Sequence, residues 1–139
     1  MNLYTVLVHI HSVLRWVLLL LILTSVVMAL TNRQGLRGAL KPALWAMVTA
    51  HIQLLLGLAL YFTSQKVIFS SGSMKDPVLR FFLVEHLLVM VIAIALITIG
   101  YVRAKRTPDV SKSNKRIAVF YIISLLLILS RIPWPFMKY

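Results

Sequence analysis

The chain contains no cysteine. Disulfides, thiolate metal sites, iron–sulfur clusters and covalent haem attachment through Cys-x-x-Cys-His are therefore excluded. Acidic residues are scarce too: three Asp and Glu stand against fifteen Lys and Arg, for a formal charge of +12. Such a surplus on a solvated face would point to nucleic acid. Here the bases instead sit in short clusters between long apolar runs. Charged residues make up 13% of the chain and hydrophobic residues 60%, where a soluble domain carries about 25% and about 45–50%. A soluble enzyme and a nucleic-acid-binding domain are both ruled out. The five glycines are dispersed and form no phosphate-cradling loop, and no nucleophile–base pair or paired carboxylate is visible. What remains is one small integral membrane domain over residues 1–139, with the lipid bilayer as its first partner.

About 20 apolar residues cross a hydrocarbon core of ~30 Å as a helix. Four stretches qualify, at about 3–30, 42–63, 77–102 and 117–132. The first lacks a basic start, is too long for a signal peptide and is interrupted by Arg15, so it reads as a retained helix. Pro42 is a favoured first helical residue, Asp76-Pro77 reads as an N-cap followed by a first-turn proline, and Pro133 and Pro135 close the last run. Short polar connectors make consecutive helices antiparallel neighbours, so the expected fold is all-α, an up-down-up-down four-helix membrane bundle. Arg33, Arg37, Lys41, Arg103, Lys105, Arg106, Lys112, Lys115 and Arg116 put nine bases on one side. Lys66, Lys75, Arg80, Arg131 and Lys138 put five on the other, beside an N-terminus with none. The positive-inside rule then turns the nine toward the cytoplasm and leaves both termini outside. The bases themselves read as anchors for anionic lipid headgroups.

An ionisable side chain in a spanning helix costs a few kcal/mol and needs a reason. His9, His11 and Arg15 lie on the first helix, His51 on the second, Glu85 and His86 on the third, and Arg131 near the end of the fourth. All four histidines fall within or beside apolar runs, and no connector holds one. At about 1.5 Å per residue, His11 and His86 lie roughly 8–12 Å inside the outer boundary and His51 near ~18 Å, with His9 shallower. His9 and His11 are turned by about 200° from each other and cannot share a face. His11 with Arg15, Met47 with His51, and His86 with Met90 each share one. Glu85 turns about 100° from His86 and reads as a counter-ion of Arg15 or Arg131. Gln53 faces away from His51 and reads as a helix–helix contact.

Three chemistries gather histidines inside a membrane bundle. In the first, neutral imidazoles from facing helices ligate a b-type haem; Arg15, Arg80 and Arg131 would meet its propionates, with Trp134 and Tyr139 marking the interface. In the second, imidazole and thioether from Met47, His51, His86 and Met90 hold copper. The third is proton transfer or a charge-paired network through Glu85. A plain hydrogen-bonding role between helices is also open to each histidine.

The segment His9-Ile10-His11-Ser12-Val13-Leu14-Arg15-Trp16 resembles the His-x-His-x-x-x-Arg-Trp start of small four-helix bacterial membrane proteins described as cytochrome b-like. The general plan is similar to the copper-resistance D-type and protoporphyrinogen oxidase J-type membrane proteins as well. The resemblance implies a haem-binding electron-transfer bundle in a bacterial inner membrane, with His11, His51 and His86 as ligand candidates. No helix here carries the two well-separated histidines that stack two haems, so one haem per chain, or one shared across a homodimer, is expected. His86 is the favoured ligand and His11 or His51 its partner, while Arg15 and Arg131 hold propionates or pair with Glu85. The expected role is that of a small redox subunit of a respiratory complex, or a partner in a quinone-linked chain, rather than a stand-alone enzyme. The rivals are a non-redox accessory subunit and a copper-handling membrane protein.

Overall fold

The computed structural model describes residues 2–31 and 38–136. Arg33 and Arg37 of the first connector, and Lys138 and Tyr139 of the tail, lie outside the described residues. Four long helices account for the fold: α1 (Leu3–Thr31), α2 (Leu40–Thr63), α3 (Pro77–Lys105) and α4 (Val110–Ser130). Each is long and apolar enough to cross a membrane. No strand occurs among the described residues.

Side chains cap three of the four helix starts; α2, preceded by Ala39, has no side-chain cap. The Asn2 side chain accepts from the Thr5 amide at 2.9 Å. Asp76 accepts from the amides of Val78 and Leu79 at 2.8 and 2.9 Å, and Asp109 from that of Lys112 at 2.7 Å. Each cap satisfies amides that the first helical turn leaves without carbonyl partners. The Asp109 cap starts α4 at Val110, ahead of the apolar run that begins at Ile117. Hydroxyls inside the helices turn back on their own backbone: Thr24, Ser25, Thr98 and Ser124 each donate to the carbonyl four residues earlier. These four hydroxyl protons thereby have acceptors within their own helices.

Each helix packs on its chain neighbours and α1 also packs on α4, closing a ring. In that ring α1 stands diagonally from α3, and α2 from α4. Contacts pair Tyr4 with Ser64 and His11 with Gln53, and Ala93 with Ser124 and Ala104 with Ser113. The close packing lies mainly in one half of the ring. There Ala39, just before α2, with Ala43, Ala46 and Ala50 of α2, Ile22, Val26 and Ala29 of α1, Ala93, Ile97 and Ala104 of α3, and Ile117 and Tyr121 of α4 are all buried, and α1 packs on α2 as α3 does on α4. Small side chains let backbones approach closely, and the Tyr121 hydroxyl crosses the diagonal to donate to the Ala43 carbonyl at 2.7 Å. The other half, toward Tyr4, Ser64 and His86, is looser.

Gly100 marks the tightest approach. A Cβ there would stand 2.5 Å from the Cβ of Phe120. Gly100→Ala would gain about 0.5–1 kcal/mol in helix propensity but incur about 1–3 kcal/mol of overpacking. The expected outcome is a lower melting temperature in detergent; an unchanged or raised one would show that α3 and α4 have room to part.

Candidate functional site

The looser half encloses a cleft of about 300 Å³ to which all four helices contribute. On α1 the lining stripe is Tyr4, Val8, His11, Arg15 and Leu18, at three- and four-residue steps. On α2 it is Gln53, Gly57 and Leu60, with Ser64 just past its end, continuing the line of Ala43, Ala46 and Ala50. On α3 it is Phe82, His86, Met90 and Ile94, and α4 closes the wall with Ile128 and, just beyond its end, Ile132. Diagonal helices thus bring His11 and His86 to a common space.

His86 is held by two local features. The backbone from Phe81 to Glu85 forms a π-turn, in which the His86 amide bonds the Phe81 carbonyl five residues back. Such a turn re-aims the helix face that follows it. The His86 Nδ1 then lies 2.7 Å from the Arg131 carbonyl oxygen. A carbonyl only accepts, so Nδ1 donates and the neutral ring carries its lone pair on Nε2. Metal-binding imidazoles are commonly oriented in this way.

His11 occupies a notch opposite Gly57, where an added Cβ would meet its Cε1 at 3.3 Å. Gln53 Nε2 donates to the His11 carbonyl at 2.8 Å. Among the described residues the buried His11 Nδ1 and Gln53 Oε1 have no hydrogen-bond partner, which leaves polar capacity unspent on the cleft wall.

The charged groups are distributed unevenly. Glu85 accepts a hydrogen bond from Arg80 at 2.9 Å and forms a longer ion pair with Arg131 at 3.7 Å, so two of the three arginines expected to face propionates are engaged by one carboxylate. Arg131 was among the counter-ions expected for Glu85; the Arg80 pair comes from the π-turn, which brings residues five apart together. Arg15 lines the cleft and lays its guanidinium 5.3 Å from the centre of the Trp16 ring. Trp16 in turn meets Trp134 edge-on at 6.3 Å. Lys66, from the connector after α2, also lines the cleft, with its ammonium 4.9 Å from the centre of the Phe82 ring. Sequence reasoning counted Lys66 only as a surface base, because nothing local separates it from Lys75.

The remaining candidates do not reach the cleft. His9 and His51 are exposed, and the His51 Nδ1 donates to the Met47 carbonyl on its own helix at 2.8 Å. Met47 packs against the core instead, so Met47 and His51 are not gathered with His86 and Met90. The alanine line of α2 is the sequence signal for this: it marks the inward face and passes through Gln53 and Gly57, not His51. Among the described residues no three His, Cys, Asp or Glu side chains converge as a metal site. A porphyrin, which supplies four nitrogens itself, needs only two imidazoles from the protein, and the donor set fits it. Comparison with family models, curated proteins and solved structures finds no match to this chain.

Widening residue 57 tests the His11 notch. Gly57→Ala requires the ring to yield by a few tenths of an ångström, and Gly57→Val should push it off its seat. The imidazole resonances of His11 should then move progressively across the pair of variants while those of exposed His51 stay put. Unmoved His11 resonances would mean that the notch does not set the ring.

Proposed function

We propose that this chain is an integral membrane protein that holds one b-type haem between His11 and His86 and serves in electron transfer. The observation that carries this reading is the Arg131 carbonyl on His86 Nδ1, which leaves Nε2 as the lone-pair nitrogen beside a cleft shared with His11. When bound, the haem would supply a reversible one-electron change at iron. The chain's own residues do the rest. His86 and His11 provide neutral imidazoles, the Arg131 carbonyl orients one of them, and Leu18, Leu54, Leu60, Ile94 and Ile128 exclude water. Ligand identity and burial together set an iron potential, and both belong to this cleft. The role that fits is a small redox subunit, working beside a larger respiratory complex or a quinone-linked chain.

The bundle is read as up-down-up-down in a bacterial inner membrane. The order of the contacts supports it: residue numbers fall along α2 as they rise along α1, and fall along α4 as they rise along α3. The uneven distribution of bases supports an N-terminus and a 64–76 connector outside. A second reading, a non-redox accessory subunit, draws on the same two bonds, since Gln53 to His11 and His86 to Arg131 also lock helices together.

Protein purified from haem-replete cells should be red, with a Soret band and sharpened α and β bands on reduction. His86→Ala should lose that spectrum while keeping its helical content, and His9→Ala and His51→Ala should keep it. A colourless wild-type preparation would leave the accessory reading, and full haem content in His86→Ala would remove His86 from the iron. Orientation is testable because the chain has no native cysteine. A membrane-impermeant maleimide should label Ser71→Cys from the outside and Ser111→Cys only after permeabilisation; the reverse pattern would invert the topology.

A further inference from the structure

The charge balance of the cleft points to the chemistry of one end of its ligand. The chain has three acids, and each is engaged elsewhere. Asp76 and Asp109 cap helices, and Glu85 lies between Arg80 and Arg131. No carboxylate lines the cleft among the described residues, whereas Lys66 stands at its mouth beside Tyr4 and Ser64, whose hydroxyls lie 3.4 Å apart. Apolar side chains line the cleft along its length, from Val67 and Phe82 near Lys66 to Leu18 and Ile94. A largely apolar cleft with an exposed cation at its mouth matches an amphipathic anion that keeps its acidic edge at that mouth.

We propose that Lys66 is the specificity residue that receives a carboxylate of the ligand at the mouth of this cleft. The inference rests on the haem reading and names the group that orients the macrocycle. Three features set Lys66 apart from the other cations. Arg80 and Arg131 are engaged by Glu85. Arg15 lies one helical turn beyond His11, away from the mouth, against Trp16. Lys66 is exposed on the connector, and the Phe82 ring face keeps its ammonium over the opening. A carboxylate there stays at the aqueous edge and gains a charge-assisted hydrogen bond. The connector after α2 thereby becomes part of the binding site.

The test is a titration of apoprotein, purified as the full chain from haem-deficient cells, with haem and with haem dimethyl ester. The ester keeps the iron and the macrocycle but has no carboxylate. Wild-type protein should bind the free acid about tenfold more tightly than the ester, the scale of one charge-assisted hydrogen bond. Lys66→Gln should bring the two affinities to within about twofold by weakening only the free acid. Its unchanged affinity for the ester then serves as the check that the variant is folded. Lys75→Gln, which removes a connector lysine outside the cleft lining, should keep the wild-type ratio. A free-acid to ester ratio that is the same in wild type and Lys66→Gln, or that falls equally in Lys75→Gln, overturns the assignment while leaving the haem reading intact. If neither macrocycle binds wild-type protein, the haem reading falls and the role of Lys66 falls with it.

Discussion

Close approach of backbones in one half of the ring is the constraint on which the rest of the structure depends. Alanines on α2 and α3, together with Gly100, remove the side-chain bulk that would hold the helices apart. Small side chains let the helix backbones come together, and the tight packing of this half follows from them. Because that half supplies the packing, the other half can remain open. The α2 stripe changes from alanine to Gln53, Gly57 and Ser64 at the point where the cleft begins. The glycine that continues the small-residue line provides space for the His11 ring rather than for a neighbouring helix.

Backbone carbonyls do most of the polar work inside the molecule. Inside the bundle His86, Gln53, Tyr61 and Tyr121 each bond a main-chain oxygen, as exposed His51 does along the surface of α2. With so few acids in the chain, carbonyl oxygens are the acceptors most available to buried donors. The consequence differs with the carbonyl's position. An oxygen on the same helix turns His51 along its own surface, while one at the end of a different helix turns His86 across the bundle. The π-turn before His86 adds to this: Arg80 and Glu85, five residues apart, come together across it, and the Leu83 carbonyl within it accepts from Tyr61 at 2.9 Å.

Much of the architecture was legible from composition and spacing. Four apolar runs correspond to four long helices, and the Asp76-Pro77 start stands where a capping residue followed by a first-turn proline requires it. The facing of α1 could also be read, because His11 and Arg15 are one turn apart and His9 is turned away from both. Depth alone was a poor guide on α2. His51 has a depth suited to the bundle centre, yet the small-residue stripe beside it takes the inward face. The Asp109 cap shows the same kind of gap: an apolar run marks what can lie in hydrocarbon, and a helix continues past it wherever a capping side chain stops the fraying.

By itself the sequence determined that the chain forms four long apolar helices, that no thiol chemistry is open to it, and that its histidines lie inside those helices. These follow from local terms, hydropathy and periodicity, which need no partner. Only the tertiary structure decided which histidines share a space, that one glutamate engages two arginines, and that a connector lysine reaches the cleft. Those outcomes depend on the rotation of each helix against its neighbours, and that rotation is set by which small residues pack together across the ring rather than by any property of a single helix.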